Sequence, residues 1–224
     1  MSSAAAPPDS VIAVIGGTGK LGAALARRLA KAGRKVVIGS RAAESAEAAA
    51  GALGFGLSGA ANADAAREAD IVILAVPFAA QEATLHDIAP HVAGKIVVDT
   101  TVPLVPPRVM RVQLPAEGSA AMRAQALLGD GAILVSAFHN VAAHKLITDD
   151  PVDCDVLVFG DDRAARAVVV GMAEQIGLRG LHGGALANSA AAEALTSVLI
   201  FLNKTYQVDG AGIRITGALV QPES

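Results

Sequence analysis

Two hydrophobic periods trade places along this chain. Residues 11–15 form an unbroken apolar, mostly β-branched run closed by Gly16-Gly17. Such a run predicts a strand covered on both faces, as in a parallel sheet. Over residues 20–31 the spacing becomes helical, with Leu21, Ala24, Leu25 and Leu29 on one stripe and Gly33 as the stop. Residues 35–38 predict a second strand, and the Ala-rich segment 41–52 a second helix. Further strand-length apolar runs lie at 71–76, 96–99, 132–138 and 156–159, with a short candidate strand at 55–57.

Helices are predicted between these runs. One covers 63–69 behind Asn62 as N-cap, and others cover 81–91 and 119–127. Another covers 163–176, with Asp161 and Asp162 at its positive end. Residues 102–108 carry Pro103, Pro106 and Pro107 and cannot pair regularly. Residues 185–206 are the most uniformly apolar helical stretch. Strands alternating with helices predict an α/β fold: a Rossmann-type doubly wound parallel sheet with a small, mainly helical C-terminal region. The expected organisation is a disordered tail at 1–10, a nucleotide-binding domain at 11–150, and a region at 151–224 that closes a cleft and dimerises.

Composition narrows the function classes. The chain has 224 residues, 53% of them hydrophobic, and a net charge of −3. No global field attracts nucleic acid or an anionic membrane. Aromatic residues make up 3% and Trp is absent, so no stacking platform for single strands is expected. No apolar run is expected to span a bilayer, and residues 1–10 lack the basic segment of a secretory leader. The single cysteine, Cys154, lies in an apolar stretch and reads as a small buried hydrophobe. A reducing, cytoplasmic setting follows as the expectation. No cluster of His, Cys and Asp has metal-ligand spacing, so no metal is expected.

The chemistry begins at the first strand. Gly17, Gly19 and Gly22 match G-x-G-x-x-G, directly after a buried strand and opening a helix. The first glycine is expected to permit the tight turn, the second to let backbone approach a pyrophosphate, and the third to let helix and sheet pack closely. Free N–H groups and the helix dipole then face the phosphates. Thr18, Lys20 and Leu21 share this loop and are candidate cofactor contacts. The second strand should end by the adenine ribose, where an NAD enzyme places Asp or Glu. Here Gly39-Ser40-Arg41 stands instead. A guanidinium and a hydroxyl suit a 2′-phosphate, which a carboxylate would repel. The expected nucleotide is therefore NADP(H), although Arg41 as a solvated residue opening the next helix fits the same position.

With these residues in view, the chain resembles the NADPH-dependent reductases of the 8-hydroxy-5-deazaflavin coenzyme, coenzyme F-420. The resemblance rests on Gly16 to Gly22, Gly39 to Arg41, Pro77-Phe78, Pro103 to Pro106, Val135 to His139, and Asn188-Ser189. It implies a homodimer, a cleft over the nicotinamide, and hydride transfer between two stacked rings. It implies that Thr18, Ser40 and Arg41 hold the adenine-side phosphates. It puts Val76, Pro77, Phe78 and the segment from His139 to Val141 beside the two rings, with Thr196 near the deazaflavin. His139 and Thr196 are the candidate catalytic residues, and Thr100 a candidate liner of the nicotinamide site. For His139 a satisfied structural imidazole is the competing role, and for Thr100 the competing role is turn capping. The chain departs from the family where Asn140-Val141 replaces Thr-Ile and Ala194 replaces a serine. These changes fall on the acceptor side, so two other readings stand beside the first. One is NADPH-dependent reduction of a flavin, a metal chelate or a small imine or carbonyl compound. The other is a non-catalytic NADP-sensing protein.

Overall fold

The computed structural model describes Pro7 and residues 9–220. Most of the tail expected at 1–10 lies outside the described residues. Pro7 and Ser10 are described, and the Pro7 carbonyl accepts bonds from Arg34 Nη2 at 2.8 Å and Ser10 N at 3.0 Å.

In chain order the elements are β1 (Val11–Ile15), α1 (Lys20–Lys31), β2 (Lys35–Ser40), α2 (Ala43–Leu53), β3 (Ser58–Ala61), α3 (Asn62–Glu68), β4 (Ile71–Leu74), α4 (Phe78–Ile88) and β5 (Ile96–Asp99). Then follow α5 (Ala120–Leu128), β6 (Ile133–Ser136), the short α6 (Ala143–Leu146), β7 (Asp155–Gly160), α7 (Arg163–Gln175), β8 (Arg179–Gly184) and α8 (Ser189–Tyr206). The eight strands form one sheet in the order β3-β2-β1-β4-β5-β6-β7-β8. The first six are parallel, β7 runs antiparallel to β6, and β8 is parallel to β7. Residues beyond 151 therefore extend the same sheet. The alternation in β1 divides the core. Ile12 and Val14 face α1, α2 and α7, while Ala13 and Ile15 face α3, α4 and α5. Both faces are buried, which is why the strand sequences carry almost no polar alternation.

Several expectations change. β3 lies at Ser58–Ala61 and not at 55–57, because Phe55 and Gly56 turn the chain with φ of 56° and 72°. Asn62 is not an N-cap: Ala61 holds that position, and no side chain caps α3. α2 starts at Ala43, which leaves Arg41 in the loop behind β2. β4 and β6 end earlier than their apolar runs, at Leu74 and Ser136. β8 had no counterpart in the sequence reading. Residues Leu186–Tyr206 form one helical stretch that is, by length and composition, long and apolar enough to cross a membrane. That overturns the expectation that no such run exists.

One glycine fixes a close approach and another does not. A Cβ on Gly59 would lie 2.3 Å from Ala46 C and Glu47 N, so β3 meets the backbone of α2 directly. A Cβ on Gly51 of α2 would have nothing within 4 Å. Gly59→Ala should therefore lower the unfolding free energy by about 2–3 kcal/mol. Gly51→Ala should raise it by about 0.5–1 kcal/mol. Urea melts of both variants read this contrast; equal effects of the two changes would contradict it.

Candidate active site

Six parallel strands bring their C-terminal ends to one edge, and the chain order reverses between β1 and β4. Open α/β sheets bind ligands at such a switch point. The turn after β1 is stitched across it. Gly16 N and Gly17 N donate to Gly39 O at 3.0 and 3.2 Å, and Ala75 N donates to Ile15 O at 2.8 Å. The positive φ of the tight turn, 78°, belongs to Gly16 and not to Gly17. A Cβ at Gly16 would lie 2.6 Å from Ala75 O. At Gly17 it would lie 2.8 Å from Val14 O and from Ile38 Cγ2, and at Gly22 it would lie 2.5 Å from Gly16 O. Gly19 differs: its Cβ would meet only Gly16 O at 3.2 Å and Ala75 O at 4.0 Å. The loop is packed inward at Gly16, Gly17 and Gly22 and comparatively open at Gly19, which is also the N-cap of α1. Thr18 and Lys20 are exposed and Leu21 is half-buried. No side chain caps α1 and its first turn holds no acid, so its positive end is uncompensated. This cradle fits a pyrophosphate.

On one side of the loop, Ser40 is half-exposed and Arg41 is exposed at the end of β2. On the other side stand Val76, Pro77 and Phe78. The Phe78 ring opens α4 and carries the guanidinium of Arg123 5.1 Å from its centre. Thr100 is buried; its N–H and its hydroxyl both bond Leu74 O at 3.1 Å. That hydroxyl is engaged in joining β4 to β5.

The loop after β6 is drawn inward. Phe138 adopts φ of 65°, and His139 Nε2 shares a 2.7 Å hydrogen bond with Ser136 Oγ. The His139 ring is buried against Phe159, and burial lowers its pKa to about 3. The imidazole is neutral at physiological pH. Thr196 Oγ1 donates to His139 O at 3.1 Å, and Asn140 Nδ2 donates to Ala192 O at 2.9 Å and to Thr196 Oγ1 at 3.1 Å. Val141 is buried beside them. Thr196 and Asn140 thus fasten α8 to the loop that holds His139.

Three residues missed in the sequence reading complete this junction. Glu193 of α8 accepts bonds from Ala120 N at 2.6 Å and Ala121 N at 3.1 Å, at the N-terminus of α5. Gln81 Nε2 donates to Asp99 Oδ2 at 2.7 Å and to Ala120 O at 2.9 Å. Asp99 Oδ1 accepts from Thr101 N at 2.9 Å. A lone acid inside the most apolar helix was the available signal for Glu193, because a buried carboxylate needs partners. Burial raises Asp99 to about 6. Burial, with Asp99 nearby, raises Glu193 to about 7 against the pull of its two backbone donors. Cys154 is buried with a raised thiol pKa, as its apolar setting predicts. No group of three or more His, Cys, Asp or Glu among the described residues is arranged to hold a metal.

The fold and this edge define a Rossmann-type nucleotide-binding protein of the oxidoreductase class. The profile of the coenzyme F420-dependent NADP oxidoreductases matches residues 11–103. The F420-dependent NADP reductase of Methanothermobacter thermautotrophicus is 44% identical over 92% of this chain and 94% of its own length. The F420-dependent NADP reductase of Methanocaldococcus jannaschii is 42% identical over 92% and 97%. A crystal structure from Arthrobacter sp. FB24, provisionally described as an F420-dependent NADP-reductase, superposes with a TM-score of 0.81. It is 26% identical and covers 93% of this chain and 99% of its own. The chain belongs to the family of coenzyme F420-dependent NADP oxidoreductases.

The two raised carboxyls make stability depend on pH. Each binds its proton more tightly in the folded chain, so its contribution is full below the unfolded pKa of about 4 and is lost as pH rises through the folded value. Glu193→Gln removes one of them. Between pH 4.5 and 8 the unfolding free energy should move in the variant's favour, relative to the wild type, by about 3 kcal/mol. Urea melts across that range test the sign; a difference independent of pH would mean that Glu193 stays ionised in the fold.

Proposed function

We propose that the chain transfers a hydride between NADP(H) and the deazaflavin coenzyme F420. The observation that carries the reading is the pairing of the glycine cradle with Ser40 and Arg41 on its adenosine side. Family membership with F420-dependent NADP reductases over nearly the whole chain supports the acceptor. When bound, the two coenzymes supply the redox chemistry, a two-electron hydride exchange between their rings.

The protein's part is to bind and orient. Thr18, Lys20, Leu21 and Gly22 receive the pyrophosphate through backbone N–H groups and the α1 dipole, while Gly17 and Gly19, whose N–H groups bond Gly39 O and Gly16 O, shape the turn and let the phosphates approach. Ser40 and Arg41 take the 2′-phosphate. Val76, Pro77, Phe78, Thr100 and Val141 line the nicotinamide side, Thr100 by its backbone carbonyl because its N–H and hydroxyl are both bonded to Leu74 O. His139 and Thr196 act on the acceptor ring through the position of their shared loop and helix. A neutral, buried imidazole suits orientation better than proton delivery. Residues 151–224 close the cleft through α8, which reaches α5 and the loop after β6.

A homodimer in the cytoplasm completes the reading. Val198, Phe201 and Tyr206 of α8 are exposed at 41%, 48% and 70%, near the loop that exposes Met110 and Val112. The two segments touch where Ser197 Oγ donates to Arg111 O at 3.4 Å. An apolar face of this kind is what two-fold association buries.

Mixing the protein with NADPH and oxidised F420 should bleach the deazaflavin absorbance with steady turnover. Turnover of free flavin or an imine without any of F420 would reassign the acceptor. Tight NADPH binding with no acceptor reduced would favour a sensor. Arg41→Ala should weaken NADPH binding by about 1.5–3 kcal/mol and leave NADH nearly unchanged, read by fluorescence titration. Equal losses for both nucleotides would remove the 2′-phosphate assignment. Ala194→Ser restores a hydroxyl on the acceptor side of α8. It should lower the half-saturating F420 concentration by an amount equivalent to about 0.5–1.5 kcal/mol, with kcat little changed. Stopped-flow traces at varied F420 would detect this, and an unchanged half-saturation would place Ala194 away from the ring.

A further inference from the structure

Asn62 opens α3 immediately after β3, whose last residue, Ala61, pairs with Ser40 of β2. The side chain is 5% exposed. Its Oδ1 is buried and has no hydrogen-bond partner among the described residues. The amide is not spent on the helix, since Ala61 is the N-cap. It lies over Gly39: a Cβ there would come within 3.2 Å of Asn62 Oδ1. A bare glycine and an unpaired carbonyl oxygen thus sit together one residue from Ser40 and two from Arg41. A buried acceptor without a donor is destabilising, so its retention at a ligand edge calls for a partner that arrives from outside.

We infer that Asn62 is a specificity-determining residue of the nucleotide site, accepting a hydrogen bond from the adenosine ribose of NADP(H). The inference rests on the nucleotide reading above and extends it to a residue on the α3 side of the sheet. The polarity of the groups divides the work. Ser40 and Arg41 offer donors, which suit the 2′-phosphate, and Arg cannot accept. A ribose phosphorylated at the 2′ position keeps one hydroxyl, at 3′, and Asn62 Oδ1 is the acceptor for it. An amide serves here where a carboxylate would not. Aspartate accepts equally well but brings a negative charge beside the phosphate, and an acid by the ribose is the device of NAD enzymes.

The test uses adenosine 2′,5′-bisphosphate and its 3′-deoxy analogue, which need neither turnover nor F420. Calorimetry on the wild type should give about fivefold weaker binding for the 3′-deoxy compound, the size of one neutral hydrogen bond. Asn62→Ala should bind the bisphosphate about fivefold more weakly and no longer distinguish the two. Asn62→Asp should lose tenfold or more for the bisphosphate while losing little for NADH. The comparison of ligands on the wild type stands even where a variant folds poorly. Equal affinity of the wild type for both compounds would overturn the role of Asn62 and leave the nucleotide site intact. Failure of the wild type to bind the bisphosphate at all would overturn both.

Discussion

Gly22 stands with its Cα against the carbonyl of Gly16, so close that one methyl group there would lie 2.5 Å from the oxygen. That contact presses the first turn of α1 down onto the end of β1. The turn in turn lies on Ile38 at Gly17 and on Ala75 at Gly16. Three strand ends, those of β1, β2 and β4, are thereby held by close packing, backbone on backbone at Gly22 and backbone on the side chains of Ile38 and Val76 at Gly17 and Gly16. Contacts this close leave the turn little room to move, so the edge is held before any ligand arrives. The consequence for binding is preorganisation: the N–H groups at the start of α1 are aimed by packing, and little ordering remains to be done on association. Gly19 escapes the crowding, and it is also the position from which a phosphate would be approached.

The opposite end of the edge is fixed by polar contacts. α8 is fastened where Glu193 meets the N-terminus of α5 and where Thr196 and Asn140 join it to the loop after β6. Burying a carboxylate without partners would cost more than these helices can return. Here its two oxygens accept two orphan backbone donors of α5, as an N-cap does. Specific geometry follows, since a carboxylate satisfied by two amides tolerates little sliding. α8 is thus placed by directional bonds, while its outward apolar face stays free for association.

Much of the first half was legible because the forces there are local and periodic. β1, α1 and β5 fall on the boundaries that their apolar spacing predicts. The glycine spacing pointed to the phosphate loop, although the left-handed turn sits at Gly16, one residue before the motif, where Ala75 leaves no room. The failures are tertiary. β8 reads as Arg179-Gly180-Leu181-His182-Gly183-Gly184, which has no β pattern. Its glycines are required because Gly180 lies on Val170 and Gly183 on the Phe159 ring. β3 is equally poor in β-branched residues and forms because Gly59 can lie on α2. The backbone donors to Glu193 and the acceptors of the Asn140 amide stand 52 or more residues away in sequence, beyond the reach of any periodicity. Ser40 and Arg41 stand out in the sequence because an expected residue type is replaced at a known place, and the structure leaves Arg41 exposed in the loop behind β2.

The titratable groups near the ligand edge show what kind of catalysis the fold favours. His139 is held well below its usual range by burial and is bonded to Ser136, so it carries no proton to give at neutral pH beyond its own N–H. Asp99 and Glu193 are raised by burial, yet their oxygens are committed to backbone and amide donors. A general acid needs a free proton, a matched pKa and access to the substrate together, and each of these groups lacks the freedom to move toward one. A carbonyl reductase would be poorly served by this set. A hydride exchanged between two planar rings makes the opposite demand. It needs the rings at van der Waals distance with water excluded, and it gains most from rigid positioning. Polar groups whose bonds lock loops to helices, as those of His139, Thr196, Asn140 and Glu193 do, are suited to that task.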